Sequence, residues 1–124
     1  MRQKNSLGHI QRFGPAIIHS WQGFVAAYKY EIAFRQYIWL SAILIPLAVS
    51  IADSVAEFSM LISGLFLILI AELLNTGIEA VVDRVSTEHH ELSGRAKDLG
   101  SAAVTTAIIY LVIVWSYKVY SLFL

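Results

Sequence analysis

At 124 residues the chain has the length of a single domain. It is 57% hydrophobic, only 15% charged, and has a mean hydropathy of +0.65, so it is too apolar for an ordinary water-facing surface and the membrane is its better solvent. A net charge of +0 argues against a general nucleic-acid binder, and the lack of cysteine excludes disulfides, thiolate metal sites and cysteine nucleophiles.

Residues 1–8 (MRQKNSLG) are polar and expected to be loosely ordered. No compact apolar core followed by a small-residue cleavage site opens the chain, so its apolar spans are expected to direct insertion. From His9 to Tyr30 the apolar residues Ile10, Phe13, Ile17, Trp21, Phe24 and Tyr28 recur at spacings of three and four, with Arg12, His19, Gln22 and Lys29 off that stripe. This predicts an aromatic-rich amphipathic helix over 9–30, lying in the membrane interface. Gly14-Pro15 either interrupts it or marks the first turn of its main body.

Three transmembrane helices are expected after it, over 32–52, 58–82 and 101–124. The first carries Pro46, and Glu31 and Arg35 should lie near its membrane boundary. Asp53 to Glu57 forms a brief acidic turn. Residues 83–100 read as a charged loop or short helix, and Trp115, Tyr117 and Tyr120 as interfacial anchors late in the third span. Arg2, Lys4, Arg12, Lys29 and Arg35 precede the first span, and Arg84, Arg95 and Lys97 lie between the second and third. The positive-inside tendency therefore puts the N-terminus and the 83–100 segment in the cytoplasm, with Lys118 as the one dissenting residue.

Glu72, Asn75, Glu79 and Asp83 fall at spacings of three, four and four, which makes one narrow stripe on the second span. An ionisable group inside a span costs several kcal/mol, more than interhelical hydrogen bonds return on average, so the stripe points to a site rather than to glue between helices. Beside it the 83–100 segment crowds Glu88, His89, His90, Glu91, Arg95, Lys97 and Asp98 together. Mg²⁺ needs only one or two carboxylates besides phosphate oxygens and water. Lys97 suits phosphate, and Ser93-Gly94 offers backbone N–H groups at a turn. The residues thus describe a membrane-interface site for a charged ligand such as a magnesium–nucleotide, with Glu72 placed as a base toward a lipid hydroxyl. Such loop charges alone are more often a solvated surface than a site, and there is no Walker A motif, kinase glycine loop or Gly-x-Ser-x-Gly elbow.

The stretch AELLNTGIEAVVDRV, the run HELSGRAKDLGSAAV and the upstream SWQGFVAAYKYEIAFRQ together resemble the small integral-membrane diacylglycerol kinases of bacteria, over essentially the whole chain. The Gram-positive undecaprenol kinases share Glu-x-x-Asn-x-x-x-Glu and Ala-Lys-Asp, but Leu-Ser-Gly-Arg-Ala-Lys-Asp is closer to the diacylglycerol type. The resemblance implies an all-α homotrimeric bundle in the bacterial inner membrane, each protomer with one interfacial helix and three spans, and active sites shared between subunits. It implies transfer of the ATP γ-phosphate to 1,2-diacylglycerol, giving phosphatidic acid, with Mg²⁺ as cofactor. Undecaprenol or another lipid alcohol is the alternative acceptor.

By motif, Glu72 matches the catalytic base. Glu31 and Glu79 match the metal ligands that also contact ATP. Arg12, His19, Glu88, His89, His90, Lys97 and Asp98 match other ATP-contacting positions, and Asn75 supports the site. Arg12, Trp21, Ala33, Phe34, Arg35, Gln36, Glu72, Ser101 and Trp115 occupy positions associated with lipid substrate. Tyr37 stands where close relatives often carry Glu, and His19 and His89 where Tyr is usual. A proton-coupled transporter would place its acid near the bilayer midplane between sparsely charged loops. A purely structural membrane adaptor would leave the carboxylate stripe unexplained.

Overall fold

The structure is a computed structural model that describes the backbone of residues 7–124 and the side chains of residues 11–124. The expectations for residues 1–6, Arg2 and Lys4 among them, and for the Ile10 side chain lie outside the described residues. Four helices follow one another: α1 Leu7–Tyr30, α2 Ile32–Ile51, α3 Val55–Val85 and α4 Glu91–Leu122, with no strand among the described residues. The last three are long and apolar enough to cross a membrane.

α1 runs unbroken through Gly14-Pro15. Its apolar stripe stays outward, with Phe13, Ile17 and Trp21 about two-thirds exposed, and among its described side chains only Ala27 near its end is buried. A single residue, Glu31, turns the chain into α2, in extended conformation at φ −109° and ψ 111°. The corner is closed by Arg35, whose guanidinium donates to the carbonyls of Tyr28 at 2.8 Å and Lys29 at 2.9 Å. Those carbonyls belong to the last turn of α1, which has no helical donors of its own.

Phe34, Ser41 and Ala48 are the buried residues of α2. Their spacing of seven gives a straight seam against the neighbouring helices, and Pro46 does not end the helix. Ser54 caps α3, accepting the Glu57 N–H at 3.1 Å, while the Glu57 carboxylate reaches back to the Asp53 N–H. This is a close variant of the capping box.

α3 and α4 form an antiparallel pair whose partners run in opposite order along the chain. Trp115 Nε1 donates to the Leu61 carbonyl at 3.0 Å, Ser63 meets Tyr110 at 3.0 Å, Gly64 lies against Leu111, and Gly100 against Asn75. The core sits on this seam as Leu65, Ile68, Ala107 and Leu111, with Tyr37, Leu40 and Leu44 of α2 packed on it. Both helices extend further than the expected spans. α3 continues to Val85 and α4 begins at Glu91, so the charged 83–100 segment is two helix ends joined by residues 86–90. The extension is physically reasonable: HELSGRAKDLG contains a cap, an i,i+4 Glu91–Arg95 pair at 3.2 Å and no proline, and polar helix is stable outside the bilayer.

Candidate active site

The buried positions of α3 are Leu61, Gly64, Leu65, Ile68, Glu72 and Asn75, one continuous stripe. The periodicity that carries leucine and isoleucine into the seam therefore carries a carboxylate and an amide into it one and two turns later. Glu72 is 7% exposed and has no hydrogen-bond donor or ion-pair partner among the described residues. The charged groups whose field reaches it are Glu79 and Glu31, and the Tyr37 hydroxyl lies within its own field. Three carboxylates from the α1–α2 corner and α3 therefore share one locality. Such an arrangement is unfavourable until a cation or a proton enters it.

Asn75, 8% exposed, donates from Nδ2 to Glu79 Oε1 at 3.3 Å. Glu79 and Glu31 are half-buried, and neither has an ion-pair partner among the described residues. No group of three or more possible protein ligands for a metal lies together among the described residues. Two carboxylates free of cationic partners fit Mg²⁺ bound through nucleotide phosphates, which needs no all-protein cage.

Where α3 leaves the apolar layer, Lys97 donates to Asp83 Oδ1 at 2.7 Å, tying the polar first turns of α4 to the last turns of α3. That bond raises the Lys97 pKa above its ordinary value, so the ammonium stays charged through neutral pH. Around it the connection forms a shallow cavity of about 240 Å³ lined by Asp83, Ser86, Glu88, His89, His90 and Lys97 among others. His90 also caps α4, its Nδ1 accepting the Leu92 N–H at 3.1 Å, and Ser86 Oγ accepts the Glu88 N–H at 3.0 Å. These bonds shape the connection around the cavity.

The structure thus gathers Glu31, Glu72, Asn75 and Glu79 into one group and Glu88, His89, His90 and Lys97 into a second group toward the connection. Asp98 and Ser101 are exposed on α4 nearby. Ala33, Phe34, Arg35 and Gln36 form the first turn of α2, where Phe34 is buried and Arg35 is engaged in closing the corner. Arg12, His19 and Trp21 remain exposed on α1. Trp21 lines an apolar groove of about 430 Å³ between α1 and α2 with Phe24, Tyr28 and Phe34. Trp115 is not brought to the carboxylates: it is pinned beside Leu61, about 16 Å along α3 from Glu72 at 1.5 Å per residue. Asp83 was visible in the sequence as the end of the stripe, but its bond to Lys97 was not, because that bond crosses the connection.

The prokaryotic diacylglycerol kinase family model matches residues 18–119. The diacylglycerol kinase of Escherichia coli K12 is 49% identical over 110 residues, covering 85% of this chain and 86% of that protein. That of Haemophilus influenzae is 48% identical over 97 residues, covering 78% and 82%, and that of Pseudomonas aeruginosa 45% identical over 107 residues, covering 86% and 87%. With a match over most of its length and Glu72 buried where α3 and α4 meet, the chain belongs to the prokaryotic diacylglycerol kinase family.

Proposed function

We propose that this chain transfers the γ-phosphate of ATP to the hydroxyl of 1,2-diacylglycerol, yielding phosphatidic acid and ADP. The observation that carries the reading is Glu72, a carboxylate 7% exposed on the α3–α4 seam and without a cationic partner among the described residues. In the transfer the acceptor oxygen bonds to the γ-phosphorus, the bridging oxygen leaves with ADP, and Glu72 takes the hydroxyl proton. Lys97, on the cavity toward the α3–α4 connection, neutralises charge on the phosphates. Glu31 and Glu79 hold Mg²⁺, which supplies further charge neutralisation when bound. Asn75 steadies Glu79 through its amide N–H. The remaining residues assigned by motif take the roles given above: Arg12, His19, Glu88, His89, His90 and Asp98 toward ATP, and Trp21, Ala33, Phe34, Arg35, Gln36, Ser101 and Trp115 toward lipid. The protein sits in the bacterial inner membrane as a homotrimer with shared active sites, its N-terminus and α3–α4 connection in the cytoplasm.

The test is ATP-dependent phosphorylation by purified protein in lipid–detergent micelles containing Mg²⁺, with diacylglycerol and undecaprenol offered side by side. Phosphatidic acid should form, and Glu72→Gln should lower kcat by at least about 100-fold, the lower range for removal of a general base. Near-normal turnover in a folded Glu72→Gln protein removes that carboxylate from the role of base. Preference for undecaprenol keeps the mechanism and changes the acceptor.

A further inference from the structure

Gly100 is buried on α4 where that helix passes Asn75. A Cβ at Gly100 would lie 2.2 Å from Asn75 Oδ1 and 3.1 Å from its Cγ, with the Asn75 Cα next at 3.5 Å. The first distance is impossible for a real side chain. The hydrogen that stands in place of that Cβ is therefore aimed at Asn75 Oδ1, a buried oxygen that accepts no conventional hydrogen bond. A Cα–H is a weak donor, but an N–H turned toward it would have no acceptor. The contact therefore fixes the amide one way round, with Oδ1 on the glycine and Nδ2 on Glu79 at 3.3 Å. The other described glycines do nothing comparable: Gly14, Gly23, Gly77 and Gly94 have open space at the Cβ position, and Gly64 meets only apolar Leu111.

We propose that Gly100 is a positioning residue for the nucleotide side of the active site. Its missing side chain leaves room for the Asn75 amide across the α3–α4 seam, and so sets the orientation in which that amide holds Glu79. This rests on the reading of Glu79 as a ligand of the metal–nucleotide.

The proposal predicts a specific coupling, measured with Gly100→Ala, Asn75→Ala and the double variant as purified protein in mixed micelles. Gly100→Ala displaces the amide, and KM for MgATP should rise about tenfold while KM for diacylglycerol moves less than about twofold. In the Asn75→Ala background the amide is gone and the nearest remaining of those atoms is the Cα at 3.5 Å, ordinary contact. There Gly100→Ala should change KM for MgATP by less than about twofold. An equal rise in both backgrounds, or a parallel rise in both KM values, overturns the proposal and leaves Gly100 a packing residue. A second readout is the side-chain amide resonance of Asn75 in an NMR spectrum. Gly100→Ala must shift it and Gly94→Ala, which has open space at the Cβ on the same helix, must leave it in place; an unmoved resonance in Gly100→Ala also overturns the proposal. Wild-type protein that phosphorylates no lipid alcohol defeats the functional reading alone, and the resonance still decides whether Gly100 orients the amide.

Discussion

Lys118 is 4% exposed on an apolar helix, and its ammonium donates to Asp53 Oδ2 at 3.0 Å and to both Glu57 oxygens at 3.0 and 3.1 Å. Asp53 is 88% exposed and Glu57 33%, so Glu57 is the partner that matters and Asp53 is largely screened by solvent. The cluster lies at the opposite end of the α3–α4 seam from Glu79 and Lys97, and neither proposed catalytic group touches it. Its role is to fasten the start of α3 to the end of α4. Lys118→Met should therefore lower the thermal unfolding midpoint, since it leaves Glu57 without its cation, while kcat stays within about twofold. Adding Glu57→Gln should recover much of that loss, because a pair removed together leaves no orphaned charge. Lost activity at an unchanged midpoint contradicts a purely structural role.

Among the elements, the α3–α4 pair shows what a linear reading reaches and what it cannot. The apolar runs and the three-four-four stripe were visible because helical periodicity is local, and the structure places Glu72 and Asn75 on the buried face of α3 as that spacing implies. The Ser54-Val-Ala-Glu57 cap was also written in the sequence as a capping-box pattern, but it sat inside what reads simply as an acidic turn. Helix within 83–100 was one of the two readings the charged stretch allowed, but its continuity with the third span was hidden, because hydropathy breaks at the charges even where capping and ion pairing favour helix. The contacts of Asn75 with Gly100 and of Asp83 with Lys97 are non-local, so no periodicity reports them. The same holds for Gly64, whose added Cβ would meet the Leu111 backbone and side chain at 3.0 Å. Since the Leu111 Cα cannot retreat without moving α4, Gly64→Ala should cost about 1–3 kcal/mol by overpacking. Equilibrium unfolding in mixed micelles measures that cost, and a midpoint equal to wild type shows that the pair has slack there. The lipid KM should be unaffected in the folded fraction.

At the scale of the whole molecule, a single protomer leaves most of its apolar surface outside. Trp39, Ile43, Phe66, Ile70, Ile109 and Ile113 are each more than half exposed on helices long enough to span a bilayer. Water is a poor solvent for such a surface, and the hydrocarbon chains of a bilayer are a good one. The ends of the bundle then differ in charge. Arg84, Arg95 and Lys97 cluster around the α3–α4 connection, and Lys29 and Arg35 lie at the α1–α2 corner at that same end of α2. The other end holds Lys118 alone among the described basic residues, and Asp53 and Glu57 outweigh its charge. Lys118 is thus one basic residue against five at the other end, and on that count the positive-inside tendency predicts one orientation. Because the chain has no cysteine, single introduced thiols report sidedness without background. Ser86→Cys, exposed in the connection, should resist a membrane-impermeant maleimide in intact cells and react once the inner membrane is opened. Ser54→Cys, exposed at the start of α3, should react once the outer barrier alone is breached. The reverse pattern places the carboxylate site on the side of the membrane without ATP, and the kinase mechanism cannot then operate.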